Sequence, residues 1–75
     1  MRVGCGLRVR RIEGNDYLYF WHYERESGRS ERHEEYVGPA REARSRREAA
    51  RKLLGYHRRI QQDLVARIAR LERSA

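Results

Sequence analysis

Tyr17-Leu18-Tyr19-Phe20-Trp21-His22-Tyr23-Glu24-Arg25 decides how this chain folds. The stretch holds five of the seven Phe, Trp and Tyr residues of a 75-residue sequence. Aromatic side chains favour a pleated, half-buried surface, and so many on one helix would stay largely wet, so a β-strand is predicted, central in a small sheet. Successive side chains of a strand point to opposite faces. Tyr17, Tyr19, Trp21, Tyr23 and Arg25 therefore share one face, and Leu18, Phe20, His22 and Glu24 the other. The even set, led by Leu18 and Phe20, suits a hydrocarbon core. The odd set offers amphipathic rings with polar tips, the kind found where a surface is touched.

Upstream, Val3, Cys5, Leu7 and Val9 alternate with Arg2, Arg8 and Arg10. Period two predicts a first strand, clearest from Leu7 to Ile12, and Gly14-Asn15-Asp16 supplies a hairpin turn of about three residues. Downstream, Ser27-Gly28 marks a return turn, and Glu31 to Val37 is a third, polar strand at an edge. The simplest arrangement is an antiparallel meander in the order 1-2-3.

Pro39 closes the sheet and suits the first turn of a helix. From about Ala40 to Arg73 the residues are proline-free and rich in good helix formers, so one long C-terminal α-helix is predicted. Its apolar stripe runs Ala43, Ala50, Leu53, His57, Ile60, Leu64, Ile68 and Leu71. Glu48 with Lys52 and Asp63 with Arg67 form i,i+4 pairs. Gly55 is the expected site of a kink or of a seam between two tasks. The fold class is α+β: one domain, with a three-stranded sheet in residues 1–38 and a basic amphipathic helix in residues 39–75. Such a helix spans about 50 Å, more than the sheet can cover. Ala43 to Leu53 is expected to pack on the even face of the aromatic strand. Ile60, Leu64, Val65, Ile68 and Leu71 need another surface, and a second copy of the chain is the expected one; a hairpin folded back at Gly55 is the alternative.

Composition narrows the function. A domain this small buries only about 60% of its unfolded-chain surface, and a single cysteine, Cys5, cannot form an intrachain disulfide. The one thiol suits a reducing compartment. No apolar run approaches the roughly 20 residues of a membrane span, and no signal-peptide pattern follows Met1, so a soluble cytoplasmic protein is expected. The formal charge of +7 is unevenly placed. Residues 1–38 carry seven Arg and seven acids; residues 39–75 carry eleven Arg plus Lys and four acids, hence the whole excess. Such a balance suits a polyanionic partner, nucleic acid before membrane.

Candidate contacts come from two places. Arg8, Arg10, Arg25, Arg29 and Arg32 surround Tyr17, Tyr19, Trp21 and Tyr23, with Tyr36 ending the neighbouring strand; Arg8, Arg10, Tyr19, Trp21, Tyr23, Arg25, Arg32 and Tyr36 are the expected contacts. Guanidinium groups hold phosphates, flat rings stack on bases, and a narrow sheet enters a major groove. Glu13, Glu24, Glu26, Glu31, Glu34 and Glu35 oppose this wherever they share the aromatic face. On the helix, Arg44, Arg47 and Arg51 share a face at i, i+3, i+7. His22, His33, His57 and Cys5 lack metal-ligand spacing, so no metal is expected. Neither a paired nucleophile nor a glycine-rich phosphate loop is present, so neither an enzyme nor a cofactor is expected.

Residues 17–57 resemble the AP2-like DNA-binding domain, the module that forms the arm-site-binding N-terminus of many tyrosine recombinases. The resemblance is carried by the aromatic strand from Tyr17 to Tyr23, the turn Glu26-Ser27-Gly28-Arg29, the strand-ending Tyr36-Val37-Gly38, and Arg46-Arg47-Glu48-Ala49-Ala50-Arg51-Lys52-Leu53-Leu54. It implies a sheet face lying in the DNA major groove, with Arg8, Arg10, Tyr19, Trp21, Arg25, Arg32 and Tyr36 as contacts. The expected function is therefore a small DNA-binding homodimer, nucleoid-associated in its cytoplasmic setting. An RNA-bound, ribosome-associated protein and a protein-interaction module are the alternatives.

Overall fold

The computed structural model describes residues 3–74. Strands β1 (Cys5–Ile12), β2 (Asn15–Glu26) and β3 (Arg29–Pro39) form an antiparallel sheet in the order β1-β2-β3, followed by helix α1 (Ala43–Ser74). The fold is α+β, with the aromatic strand central.

Both hairpins close with two residues. Glu13 and Gly14 have φ of 51° and 80°, and Ser27 and Gly28 have 50° and 76°. Two successive positive φ values give the type I′ turn, whose twist matches that of the flanking strands. The first turn is thus Glu13-Gly14 rather than Gly14-Asn15-Asp16, and Asn15 already pairs with Ile12. The second turn releases the chain directly into β3, which begins two residues before Glu31 and runs past Val37 to Pro39. Pro39 belongs to the sheet, not to the helix: it lies opposite Tyr17 on an edge strand, where proline is tolerated. The turn between sheet and helix is fixed by Ala40 N–H donating to Asp16 O at 2.8 Å and Glu42 N–H to Pro39 O at 3.2 Å. The helix therefore starts at Ala43 rather than Ala40.

One irregularity sets the faces of β3. Leu18 pairs with Gly38 and Tyr19 with Tyr36, so Val37 is an extra residue, a β-bulge. Without it Tyr36 and Gly38 would point the same way. With it Tyr36 joins the aromatic face while Gly38 turns to the helix. There Gly38 is buried, and a side chain at that position would collide with Ser45 Oγ.

The helix lies on the even face of β2. Leu18, Phe20 and His22 are buried beneath Ser45, Ala49 and Tyr56. The segment from Ala43 to Leu53 packs here as expected, but through Ser45 and Ala49 and not along the expected apolar stripe, of which Ala43, Ala50 and His57 are exposed. Small residues win at the contact since they let helix and sheet approach closely, and Tyr56 then reaches down at the far end. Its hydroxyl donates to Tyr23 O and accepts from Gly4 N–H, both at 3.1 Å, tying the residue before β1 to β2. The helix runs unbroken through Gly55, with no fold-back; Gly55 is exposed and nothing presses on it. Beyond Arg59 it overhangs the sheet. Among the described residues no large side chain is completely buried, so the core is thin. No described helix is long and apolar enough to cross a membrane.

Candidate nucleic-acid interface

The strand register places Arg8, Arg10, Tyr17, Tyr19, Trp21, Tyr23, Arg25, Arg32 and Tyr36 on one face, away from the helix. All the sheet-borne candidate contacts are thus brought together. The face is a layer of interlocked rings. Tyr36 meets Tyr19 edge-on at 5.5 Å between centroids and Tyr17 at 6.2 Å, and Trp21 meets Tyr23 at 6.1 Å. Trp21 leans across Gly6, where an added Cβ would stand 2.7 Å from the indole. Guanidinium groups sit over two rings: Arg10 lies 5.2 Å from the Tyr19 centroid and Arg32 5.0 Å from that of Trp21. Such stacking holds an arginine side chain close to the face while its edge N–H groups stay available to an anion. Tyr36 is 56% exposed, and the four β2 rings are half-buried.

Charge is sorted by face. Arg8, Arg10, Arg25 and Arg32 share the aromatic face with one acid, Glu34; Arg11 and Arg29 share the opposite face with Asp16, Glu24, Glu26, Glu31 and Glu35. A sheet that is neutral in sum is therefore basic on one side and acidic on the other. Glu34 lies between Arg8 and Arg32, at 3.6 and 3.8 Å.

The acidic side is where the basic helix docks. Lys52 Nζ donates to Glu35 at 2.7 Å and Arg59 to Glu24 at 2.7 Å. Buried His22 stands between these two carboxylates. Its Nε2 is hydrogen-bonded to Glu35 at 3.2 Å, while its Nδ1 lies 3.0 Å from Glu24 but off the hydrogen-bond axis, an electrostatic contact only. Its ring stacks between Phe20 and His33, at 5.0 and 5.6 Å. Burial alone would push the Glu24 carboxyl up, but Arg59 and then His22 hold it below the usual carboxylate range. The Lys52 hydrogen bond holds Glu35 low as well, against the push of burial and with help from His22. This Lys52–Glu35–His22–Glu24–Arg59 knot has no signature in the sequence, because it joins two strands and a helix.

Of the helix candidates, Arg44, Arg47 and Arg51 are exposed. Arg51 is hydrogen-bonded to Glu48, at 2.9 Å from Nε, so Glu48 pairs with Arg51 rather than with Lys52. Arg44, Arg47 and Arg51 turn away from the seam, onto the outer side of the helix. The structure thus puts the two sets of candidate contacts on opposite sides of the sheet.

The expected dimer residues are uncovered: Leu64, Val65, Ile68 and Leu71 are 55, 60, 45 and 64% exposed, and Ile60 is half-buried. Leu53, Ile60, Leu64 and Leu71 line one flank, whereas Val65 sits about 100° away from Leu64. That flank lies toward β1, since His57 Nε2 comes 3.5 Å from Cys5 Sγ. Leu7 and Val9, 42 and 56% exposed, lie on the same side of the sheet. Burial pushes the Cys5 thiol up, which disfavours the thiolate a nucleophile needs. Glu26, Glu31 and His33 converge at the second hairpin with ligand atoms within 4.8 Å; the two carboxylates are exposed, His33 is half-buried, and its Nε2 lies 3.0 Å from Glu26.

No family model, curated protein or solved structure matches this chain.

Proposed function

We propose that this is a small DNA-binding protein, cytoplasmic and nucleoid-associated, acting as a homodimer without a cofactor and as a binder rather than an enzyme. The aromatic face of the sheet lies against duplex DNA. The observation that carries this is the sorting of charge: four arginines against one glutamate, interleaved with five half-exposed or exposed rings. Arginines would grip phosphates, and rings would pack on sugars and base edges. The strand-strand-strand-helix order supports the same reading through its resemblance to AP2-like domains. Most acids of the sheet sit on the far side, two of them, Glu24 and Glu35, bound by the helix, and so would not repel the backbone. The uncovered distal apolar flank supports dimerisation by giving a thin core more surface to bury.

Fluorescence polarisation of a labelled duplex at two salt concentrations tests the reading. Binding should weaken with salt by roughly one log-log unit per phosphate contacted. Absence of binding at about 50 mM salt overturns it, and tighter binding to structured RNA of equal length replaces DNA with RNA.

A further inference from the structure

We infer that the outer side of α1 is a second phosphate-binding surface, so that one protein holds two duplex segments, one against the sheet and one against the helix. The inference rests on the DNA-binding reading above. Its starting point is geometry. Ser45, Ala49 and Tyr56 face the sheet and are buried. With 3.6 residues per turn, Arg44, Arg47, Arg51 and Arg58 fall within about 60° of one another, roughly opposite that seam. A duplex lying on the aromatic face has the sheet and the helix between it and these arginines. The two basic surfaces cannot serve one straight segment.

The chemistry of the stripe differs from that of the two cations beside the seam. Lys52 and Arg59, beside the seam, are bound to Glu35 and Glu24. On the outer side Glu48 pairs with Arg51, and Arg44, Arg47 and Arg58 form no ion pair among the described residues. A merely solvated helix face commonly mixes signs, as i,i+4 pairs do. Here one acid, Glu48, answers four arginines, while Glu35 and Glu24 of the sheet are taken by Lys52 and Arg59. From Arg44 to Arg58 the stripe extends about 21 Å, the length of about six base pairs. Arginines at that spacing meet successive phosphates along one strand of a backbone, with no need to enter a groove. Charge complementarity therefore selects a polyanion, and no aromatic ring on this side favours unpaired bases.

A capture experiment tests the inference: an immobilised duplex is incubated with full-length protein and then with a labelled second duplex, at about 100 mM salt. The wild-type protein should retain the second duplex. The triple variant Arg44→Gln, Arg47→Gln, Arg58→Gln should bind the first duplex within about threefold of wild type and lose at least tenfold in capture of the second. The corresponding triple Arg→Lys variant, which keeps the charge, should retain capture. Adding Leu64→Glu and Ile68→Glu to the wild type should leave capture in place, which separates bridging by the helix from bridging by a dimer of sheets. First-duplex binding without capture overturns this inference alone, as does capture that the Gln variant retains or that the Leu64→Glu, Ile68→Glu variant loses. A Gln variant that loses both activities in equal proportion also overturns it, since that is one composite surface. Failure to bind any duplex instead overturns the reading of the sheet face.

Discussion

The two faces of the sheet are made from the same three strands yet do opposite things. On one, Leu18, Phe20 and His22 vanish beneath a helix, and Glu35 and Glu24 are bound by Lys52 and Arg59. On the other, Tyr17, Tyr19, Trp21, Tyr23 and Tyr36 pack mainly on one another, and arginines lie over them. Alternation along a strand thus separates not only apolar from polar residues but also negative from positive. The acids dock the helix, and their removal to that side leaves the other side basic.

Mutations should separate the faces, since the helix side governs stability and the aromatic side governs binding. Phe20→Ala empties the centre of a thin core and should cost about 3–5 kcal/mol, seen in urea denaturation as loss of most of the folded population. Trp21→Ala, one residue along, should leave the fold largely intact and weaken duplex binding by about 1–3 kcal/mol, roughly 5- to 150-fold by polarisation. Tyr56→Phe keeps the ring but removes the hydroxyl's hydrogen bonds to Tyr23 O and Gly4 N–H; a loss of about 1 kcal/mol in stability and none in affinity is expected. Glu34→Gln runs the other way. It removes the one acid from the aromatic face and should raise affinity about two- to fivefold at low salt.

The smallest effect concerns acid. Glu24 and Glu35 have folded-state pKa values below their ordinary ones. Groups depressed in this way bind protons more readily when unfolded, so their contribution is complete above the ordinary carboxylate range and is lost as pH falls through the lower, folded values. Thermal melts below about pH 4 should therefore show a stability loss that shrinks when Lys52 and Arg59 are both replaced by Met. Both carboxylates are partly exposed, so the loss is modest.

Much of the fold is legible because periodicity reports local geometry directly. The aromatic strand, its central place, the single long helix and the choice of Leu18 and Phe20 for the core all come from period two or from helix-forming composition. The first turn is not legible, because an αL glutamate at Glu13 has no strong sequence signal, whereas Asn15 and Asp16 advertise a turn they do not make. The seam escapes for a similar reason. Apolar periodicity picks out Ala43, Ala50, Leu53 and His57, yet close approach selects Ser45 and Ala49, and Tyr56 is the remaining aromatic that could have pointed there. The sorting of acids is half visible. Glu24 and Glu26 share the even parity of Phe20, but Glu31 and Glu35 depend on a two-residue turn at Ser27-Gly28, and Tyr36 depends on the bulge at Val37. Counting charge by halves of the chain hides a division that runs through the thickness of the sheet.

Trp21 is the chain's single tryptophan and lies in the middle of the aromatic face, so its fluorescence reports that face alone. Titration of the protein with an unlabelled duplex at about 50 mM salt, then back-titration with salt, reads the proposed interface at its centre. The interface predicts a saturable change in Trp21 emission that tracks polarisation and reverses with added salt. A duplex that binds by polarisation while Trp21 emission stays unchanged would contradict it.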